Sequence, residues 1–388
     1  MLRVIFTLDY EIHGNGEGCP RELIIEPTDR LLRLFDEYGA KLTIMADVAE
    51  ILKFKEYAQQ SGRDDYHYHG IISQLREAVR RGHDVQLHLH SSYFNASHDG
   101  HRWAQDWSEY DFASLSPQRL HDRVRRGKEF LERLLQPVHP RYRCIAFRAA
   151  NWSVNPSTHI VEALLANGLK IDTSVFKYGF RSGRVNFDYS KAWHEMVPWR
   201  AHRDRLWEHD PQGALWEVPI YSELRLIGAF LSLNRIYRVL QARGHRLRDD
   251  GPKESSANGS GRPLRAPLLR RLTSISKKHA WKADFNQATG RQLIKALSRA
   301  ECRYGRLAPE LPFVLIGHSK LFTRLNESSL RPFLRFIAEN PSSYGFGTFD
   351  GLNLDGRGSI TPGVAAQGPK VFATDNRGTL WGQPTPSN

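Results

Sequence analysis

Two histidines stand two residues apart in Gly82-His83-Asp84-Val85-Gln86-Leu87-His88-Leu89-His90. In an extended strand their side chains face one side, about 6.5 to 7 Å apart, with Leu87 and Leu89 on the other. Two imidazoles so placed can bind a divalent metal. A carboxylate from another strand would complete the two-histidine, one-carboxylate set used by hydrolytic zinc and by non-haem iron. Carboxylates two residues apart close the run Phe6-Thr7-Leu8-Asp9-Tyr10-Glu11, although this stretch reads equally as a plain strand end before a turn. Arg148 follows the apolar Ala146-Phe147; turned outward it is a surface residue, and turned inward its guanidinium needs a partner such as Asp9. Asp172 follows Ile171 and is either a further site carboxylate or a helix cap. His318 follows Val314-Leu315-Ile316-Gly317 and titrates near neutrality, the property of a proton donor or acceptor.

These residues share one position, the end of an apolar run of strand length. The runs are 2–8, 41–45, 85–89, 145–148, 169–171, 215–220 and 313–316. Between several of them lie stretches of helical periodicity at 27–37, 71–81, 117–135, 156–166 and 291–300. Strands alternating with helices imply an α/β fold with a parallel sheet, a barrel or a doubly wound one. Such folds place their sites at the carboxyl ends of the strands.

With 388 residues, 40% hydrophobic and 25% charged, the composition is globular. No run approaches the roughly 18 apolar residues of a membrane helix. The first residues lack the basic leader and long apolar region of a secretory signal, so a cytoplasmic protein is expected. Cys19, Cys144 and Cys302 form no CxxC pair and read as ordinary thiols. The net charge of +13 is uneven: residues 241–285 carry 11 basic against 4 acidic groups, around a Gly/Ser/Pro-rich stretch. That segment reads as a basic, partly flexible insertion. Residues 351–388, in which 11 are Gly or Pro, read as a poorly ordered tail.

Taken in order, the five clusters around Asp9, His88, Arg148, Asp172 and His318 resemble the motif series of the polysaccharide deacetylases with NodB homology, the carbohydrate esterase family four group. The resemblance spans about residues 1–350. It is strongest to the branch whose first motif is Asp-x-Glu and whose second is Gln-Leu-His-Leu-His, often linked to surface-polysaccharide synthesis. It implies a distorted (β/α) barrel of the NodB-homology type, here with a basic insertion, as one catalytic domain. It further implies Asp9 as general base, Glu11 and His88 as metal ligands, Arg148 as the arginine that orients the base, Asp172 as the carboxylate that tunes the acid, and His318 as the catalytic histidine. The chain departs from the pattern twice. The family spaces its ligand histidines four apart, and position 92 is Ser92, so the third ligand is His90 or a water-filled place beside Ser92. The proline that usually follows the arginine is absent.

The implied chemistry is metal-dependent removal of an N-acetyl or similar acyl group from an amino sugar or saccharide intermediate, with Zn2+ as the expected ion. Tyr93, Phe94, Trp103, Trp107 and Trp152 follow the second and third clusters and are candidates for a sugar-stacking rim, Tyr93 and Trp152 foremost, or for core packing. Two other readings follow from the same residues: a saccharide-binding relic without catalysis, and a basic nucleic-acid-binding protein acting through 241–285. No specific nucleic-acid partner is expected on the first reading.

Overall fold

Apolar strands buried on both faces must be covered on both sides, which a curled sheet achieves by packing one face inward and carrying helices on the other. The computed structural model describes residues 1–12, 14–232, 234–237 and 278–354. Strands β1 (Leu2–Tyr10), β2 (Leu42–Asp47), β3 (Asp84–Leu89), β4 (Ala146–Ala149) and β5 (Ile171–Asp172) lie side by side and parallel, in sequence order. Beyond β5, the antiparallel pair of β6 (Trp199–Arg200) and β7 (Trp216–Glu217) is joined on through β7. β8 (Ser222–Leu226) and β9 (Lys278–Lys282) form a separate antiparallel ribbon. β10 (Leu311–His318) returns parallel to β1, and β11 (Tyr344–Phe346) pairs with the start of β1.

The nine-stranded sheet curls until its far side meets β10. Ile220, just past β7, makes a parallel bridge to Val314, and Asp284, just past β9, makes one to Ile316. The architecture is therefore the α/β barrel the sequence implies, in distorted form. Among the described residues it is covered by helices α1 (Glu26–Glu37), α2 (Val48–Ser61), α3 (Tyr68–Arg80), α4 (Pro117–Leu135), α5 (Thr158–Ala166), α6 (Gly290–Tyr304) and α7 (Arg324–Glu339). Leu31, Leu32, Leu34 and Phe35 of α1 are buried, the face its periodicity predicts. α4 crosses β3 so closely that a Cβ at Gly127 would lie 2.6 Å from Leu87.

One hydrophobic core runs from Leu2 to Leu354. Residues 278–285, which composition grouped with the basic insertion, are part of the fold as β9 and the barrel seam at Asp284. Averaging charge over 45 positions hid a strand inside that segment. Residues 238–277 and 355–388 lie outside the described residues.

Candidate active site

Backbone register assembles the site before any side chain is considered. Asp9 is paired with His318 across β1 and β10, Asp47 with His88 across β2 and β3, and His88 with Arg148 across β3 and β4. All lie at the carboxyl end of the barrel, where Glu11 follows β1.

Glu11, His88 and His90 bring their ligand atoms within 4.8 Å of one another. His88 Nε2 and His90 Nδ1 each lie 3.2 Å from Glu11 Oε2. His88 Nδ1 faces the Arg148 carbonyl oxygen at 2.9 Å, a hydrogen bond that fixes the tautomer and turns Nε2 toward Glu11. His90 Nδ1 is 2.7 Å from Asp47 Oδ2, while Asp47 Oδ1 also caps α2 by accepting from the Ala49 N–H at 3.1 Å. Ser92 is buried and donates to Gln105 Oε1 at 2.8 Å, away from this group. Of the two candidates for the third ligand, His90 is the one that converges.

Burial is the strongest single influence on each of these groups, and charge partners reverse it. Lys320 first, then His90 and His88, hold the Glu11 carboxyl well below its ordinary range. Glu11 and Asp47 raise His90 to about 9 against the pull of desolvation, and a hydrogen bond to Glu11 raises His88. Two acids, two imidazoles and an ammonium thus form one charge-balanced nest. A divalent cation fits this donor set: one carboxylate and two nitrogens, buried, with an outer hydrogen bond on His88, while on His90 the nitrogen that faces Glu11 is also the one that meets Asp47.

Asp9 lies beside that nest. Its Oδ1 accepts from Arg148 Nη1 at 2.6 Å, and its Oδ2 is 3.6 Å from His318 Nε2. Arg148 has no exposed surface and also donates from Nε to the Thr173 carbonyl oxygen at 3.1 Å. Burial pushes the Asp9 carboxyl up, but Arg148, followed by His88 and His318, outweighs it, so Asp9 is held as a carboxylate. Burial lowers His318, opposed by Asp9 and Glu11. Its Nδ1 is a buried atom without a hydrogen-bond partner among the described residues, and Asn286 Oδ1 accepts from its backbone N–H at 2.6 Å. Gly317 is required next to it, since a Cβ there would lie 2.2 Å from the Phe285 ring.

Two expectations change. Asp172 accepts from the Ser174 backbone N–H and hydroxyl, each at 2.9 Å, and shares a hydrogen bond with Glu217, with no contact to His318 among these bonds. Burial and Asp172 raise Glu217 well above its ordinary value, so Glu217 carries the shared proton. The acids whose charge reaches His318 are Asp9, Glu11 and Asp284. Tyr93 does not form a rim: the turn Ser91–Tyr93 directs it into the core, where it is fully buried and hydrogen-bonds Glu50. Phe94 and Trp103 are buried as well. Trp152 does line the pocket, together with Tyr110, Asn151, Arg181 and Lys282.

The sequence reasoning passed over Asp47, Lys320, Lys282 and Asp284. Lys320 lies two residues past His318, in the 3-10 turn Ser319–Leu321 that follows β10, with Nζ 3.0 Å from Glu11 Oε1. Asn151 and Trp152 have φ of 56° and 58°, the left-handed region that non-glycine residues seldom adopt. Two such residues in succession cost on the order of 1–3 kcal/mol each and are held by the surroundings, here by Tyr110 on Asn151 and Tyr189 on Trp152.

The class defined by fold and site is an α/β barrel with a carboxylate–histidine cluster at its strand ends. No protein-family model and no curated protein matches the sequence. Among solved structures the chain is similar to a Mycobacterium smegmatis protein provisionally assigned as a polysaccharide deacetylase, at 14% identity over 90% of this chain and 87% of that one, with a TM-score of 0.44. It is also similar to a Parabacteroides distasonis protein provisionally assigned as a glycoside hydrolase/deacetylase, at 11% identity over 89% and 69%, TM-score 0.49. A third is a pseudoenzyme of the CE4 family, at 12% identity over 44% of each chain, TM-score 0.28. At these values the likenesses carry no chemistry. Among the described residues no helix is long and apolar enough to cross a membrane.

Proposed function

We propose that the protein is a metal-dependent hydrolase that removes an N-acetyl or similar acyl group from an amino sugar. One observation carries this reading: Glu11, His88 and His90 converge within 4.8 Å directly beside the buried Asp9–Arg148 pair and His318. Those three side chains are the proposed holders of a divalent cation, Zn2+ first among them. When bound, the cation supplies Lewis-acid polarisation of an acyl oxygen and lowers the pKa of a water from 15.7 toward about 7.

The chain's own residues handle the protons. Arg148 fixes Asp9 Oδ1, leaving Oδ2 on the His318 side, so the carboxylate is oriented to take a proton from an attacking water. His318 Nε2, 3.6 Å from Asp9 Oδ2, is placed to deliver a proton to the departing amine, which leaves poorly without one. Asp284 takes the electrostatic role the resemblance gives to Asp172, opposing the loss of charge at His318. Trp152 lines the pocket with the Lys282 ammonium 3.6 Å from its ring centroid.

A second reading, the saccharide-binding relic, is favoured by Lys320: its ammonium already neutralises Glu11 at 3.0 Å. Calorimetric titration of the metal-free chain with ZnCl2, alongside acetate release from N-acetylated oligosaccharides, separates the two. Stoichiometric binding with zinc-dependent acetate release supports the hydrolase. Absence of binding at micromolar zinc refutes it.

A further inference from the structure

Of the carboxylates that line the pocket, Asp9 has Arg148 at 2.6 Å and Glu11 has Lys320 at 3.0 Å, while Asp284 accepts from the Asn286 and Gln287 backbone N–H groups at 2.9 and 3.2 Å. Two more cations line the same pocket and come from elements remote in sequence. Arg181 extends from a two-residue strand, and its Nη1 donates to Asn151 Oδ1 at 3.0 Å. Lys282 ends β9, with its ammonium 3.6 Å from the Trp152 ring centroid and 4.4 Å from that of Phe176. Between them lies a third donor. Asn151 Oδ1 is shared by Arg181 and Tyr110, whereas its Nδ2 is buried with no acceptor among the described residues. A buried donor lacking an acceptor is costly, and a ligand oxygen would satisfy it. A guanidinium, an ammonium and an amide N–H around one aromatic ring match a sugar that bears acceptor oxygens and negative charge.

We propose that the substrate is an anionic amino sugar, whose carboxylate or phosphate is bound in the pocket by Arg181 and Lys282. This rests on the hydrolase reading above and names its substrate class. The two sources of negative charge share one recognition chemistry, and probes can distinguish them.

The test is calorimetric binding to the full, zinc-loaded chain of N-acetylglucosamine, N-acetylmuramic acid and N-acetylglucosamine 6-phosphate, at low and at 0.5 M salt. At least one anionic probe is expected to bind about a hundredfold or more tighter than the neutral sugar, with the preference shrinking in high salt. Arg181→Gln and Lys282→Gln should each reduce that preference by about ten- to hundredfold, as loss of a charge-assisted contact does, and Lys282→Arg should keep most of it. Equal affinity for neutral and anionic probes, or variants that weaken both in parallel, overturns the proposal, as does failure of both anionic probes to bind at millimolar concentration. If Arg181→Gln fails to fold, the wild-type probe series and the Lys282 variants still decide. Acetate release is read separately. Charge preference without turnover leaves the substrate class standing and removes the hydrolase reading; turnover of the neutral sugar without charge preference does the reverse.

Discussion

Arg148→Met removes one half of a buried ion pair and leaves the other in place. Arg148 is fully buried, the Asp9 side chain is 4% exposed, and the pair is 2.6 Å apart. Stranding one member of such a pair typically destabilises by about 3–5 kcal/mol. His88 and His318 still favour the Asp9 anion, which places the loss toward the lower end. The Thr173 carbonyl oxygen loses its donor as well, a contribution of about 1 kcal/mol in the opposite direction. The expected loss is therefore about 3–4 kcal/mol, a factor of several hundred in the folding equilibrium. Urea unfolding at pH 7.5, with slopes compared so that only changes in midpoint are read as stability, measures it. The partner experiment is Asp9→Asn with Arg148→Met. Removing both charges leaves no stranded ion, so the double variant should be more stable than Arg148→Met alone, although neither should retain hydrolysis. The gap between wild type and Arg148→Met should also narrow at acid pH, because protonation discharges the stranded Asp9. A loss below 1 kcal/mol, or a double variant no more stable than the single one, would refute the buried pairing and with it the placement of the site.

Gly317→Ala puts a methyl 2.2 Å from the Phe285 ring and should destabilise by about 1–3 kcal/mol while shifting His318; thermal melting and acetate release read the two effects, and a neutral substitution contradicts the packing. His83 and His194 are buried with pKa values near 3, in each case chiefly through desolvation. Because the unfolded chain takes up those protons near 6.5 and the fold does not, stability is present above about pH 6.5 and declines toward pH 3, by about 3–5 kcal/mol per histidine. Melting curves from pH 7.5 to 4 check this, with His83→Gln and His194→Gln flattening the decline. For zinc, His90→Ala should abolish tight binding, Asp47→Asn should weaken it about ten- to hundredfold through His90, and Ser92→Ala should leave it within a factor of about three. Calorimetry that finds Ser92 essential and His90 dispensable reverses the ligand assignment.

The parallel α/β order was legible because β1 to β5, β7 and β10 each show as an apolar run, and the residues closing several of these runs fall at one end of the barrel. Asp9, His88 and His318 were found in this way, and Arg148 through the requirement that an inward guanidinium meet a carboxylate. Helix α1 was legible in its 3.6-residue spacing. What composition concealed is local. Residues 278–285 sit beside a basic stretch and share its average, yet Trp281, Ala283 and Phe285 are buried in the barrel wall. Asp47 reads as an ordinary cap, and it is one, while its second oxygen orients His90. Asp172 has the right position in its strand, but its side chain meets Glu217 on the neighbouring strand, a pairing no single segment reveals.

Strand spacing explains why the curl of the sheet matters as much as the side chains. Neighbouring strands lie about 4.8 Å apart, so in a flat sheet β1 and β4 would be roughly 14 Å apart, and β1 and β3 nearly 10 Å. Yet Arg148 on β4 lies 2.6 Å from Asp9 on β1, and His88 on β3 lies 3.2 Å from Glu11. Side-chain length covers part of that distance, and inward curvature must supply the rest. The seam at Ile220–Val314 and Asp284–Ile316 holds that curvature and delivers Lys282 and Asp284 to the pocket. Loosening the seam should therefore disperse the carboxylates and imidazoles without altering any of them. A proline at 316 would have this effect, since it removes the Ile316 N–H that donates to the Ala283 carbonyl oxygen across the seam.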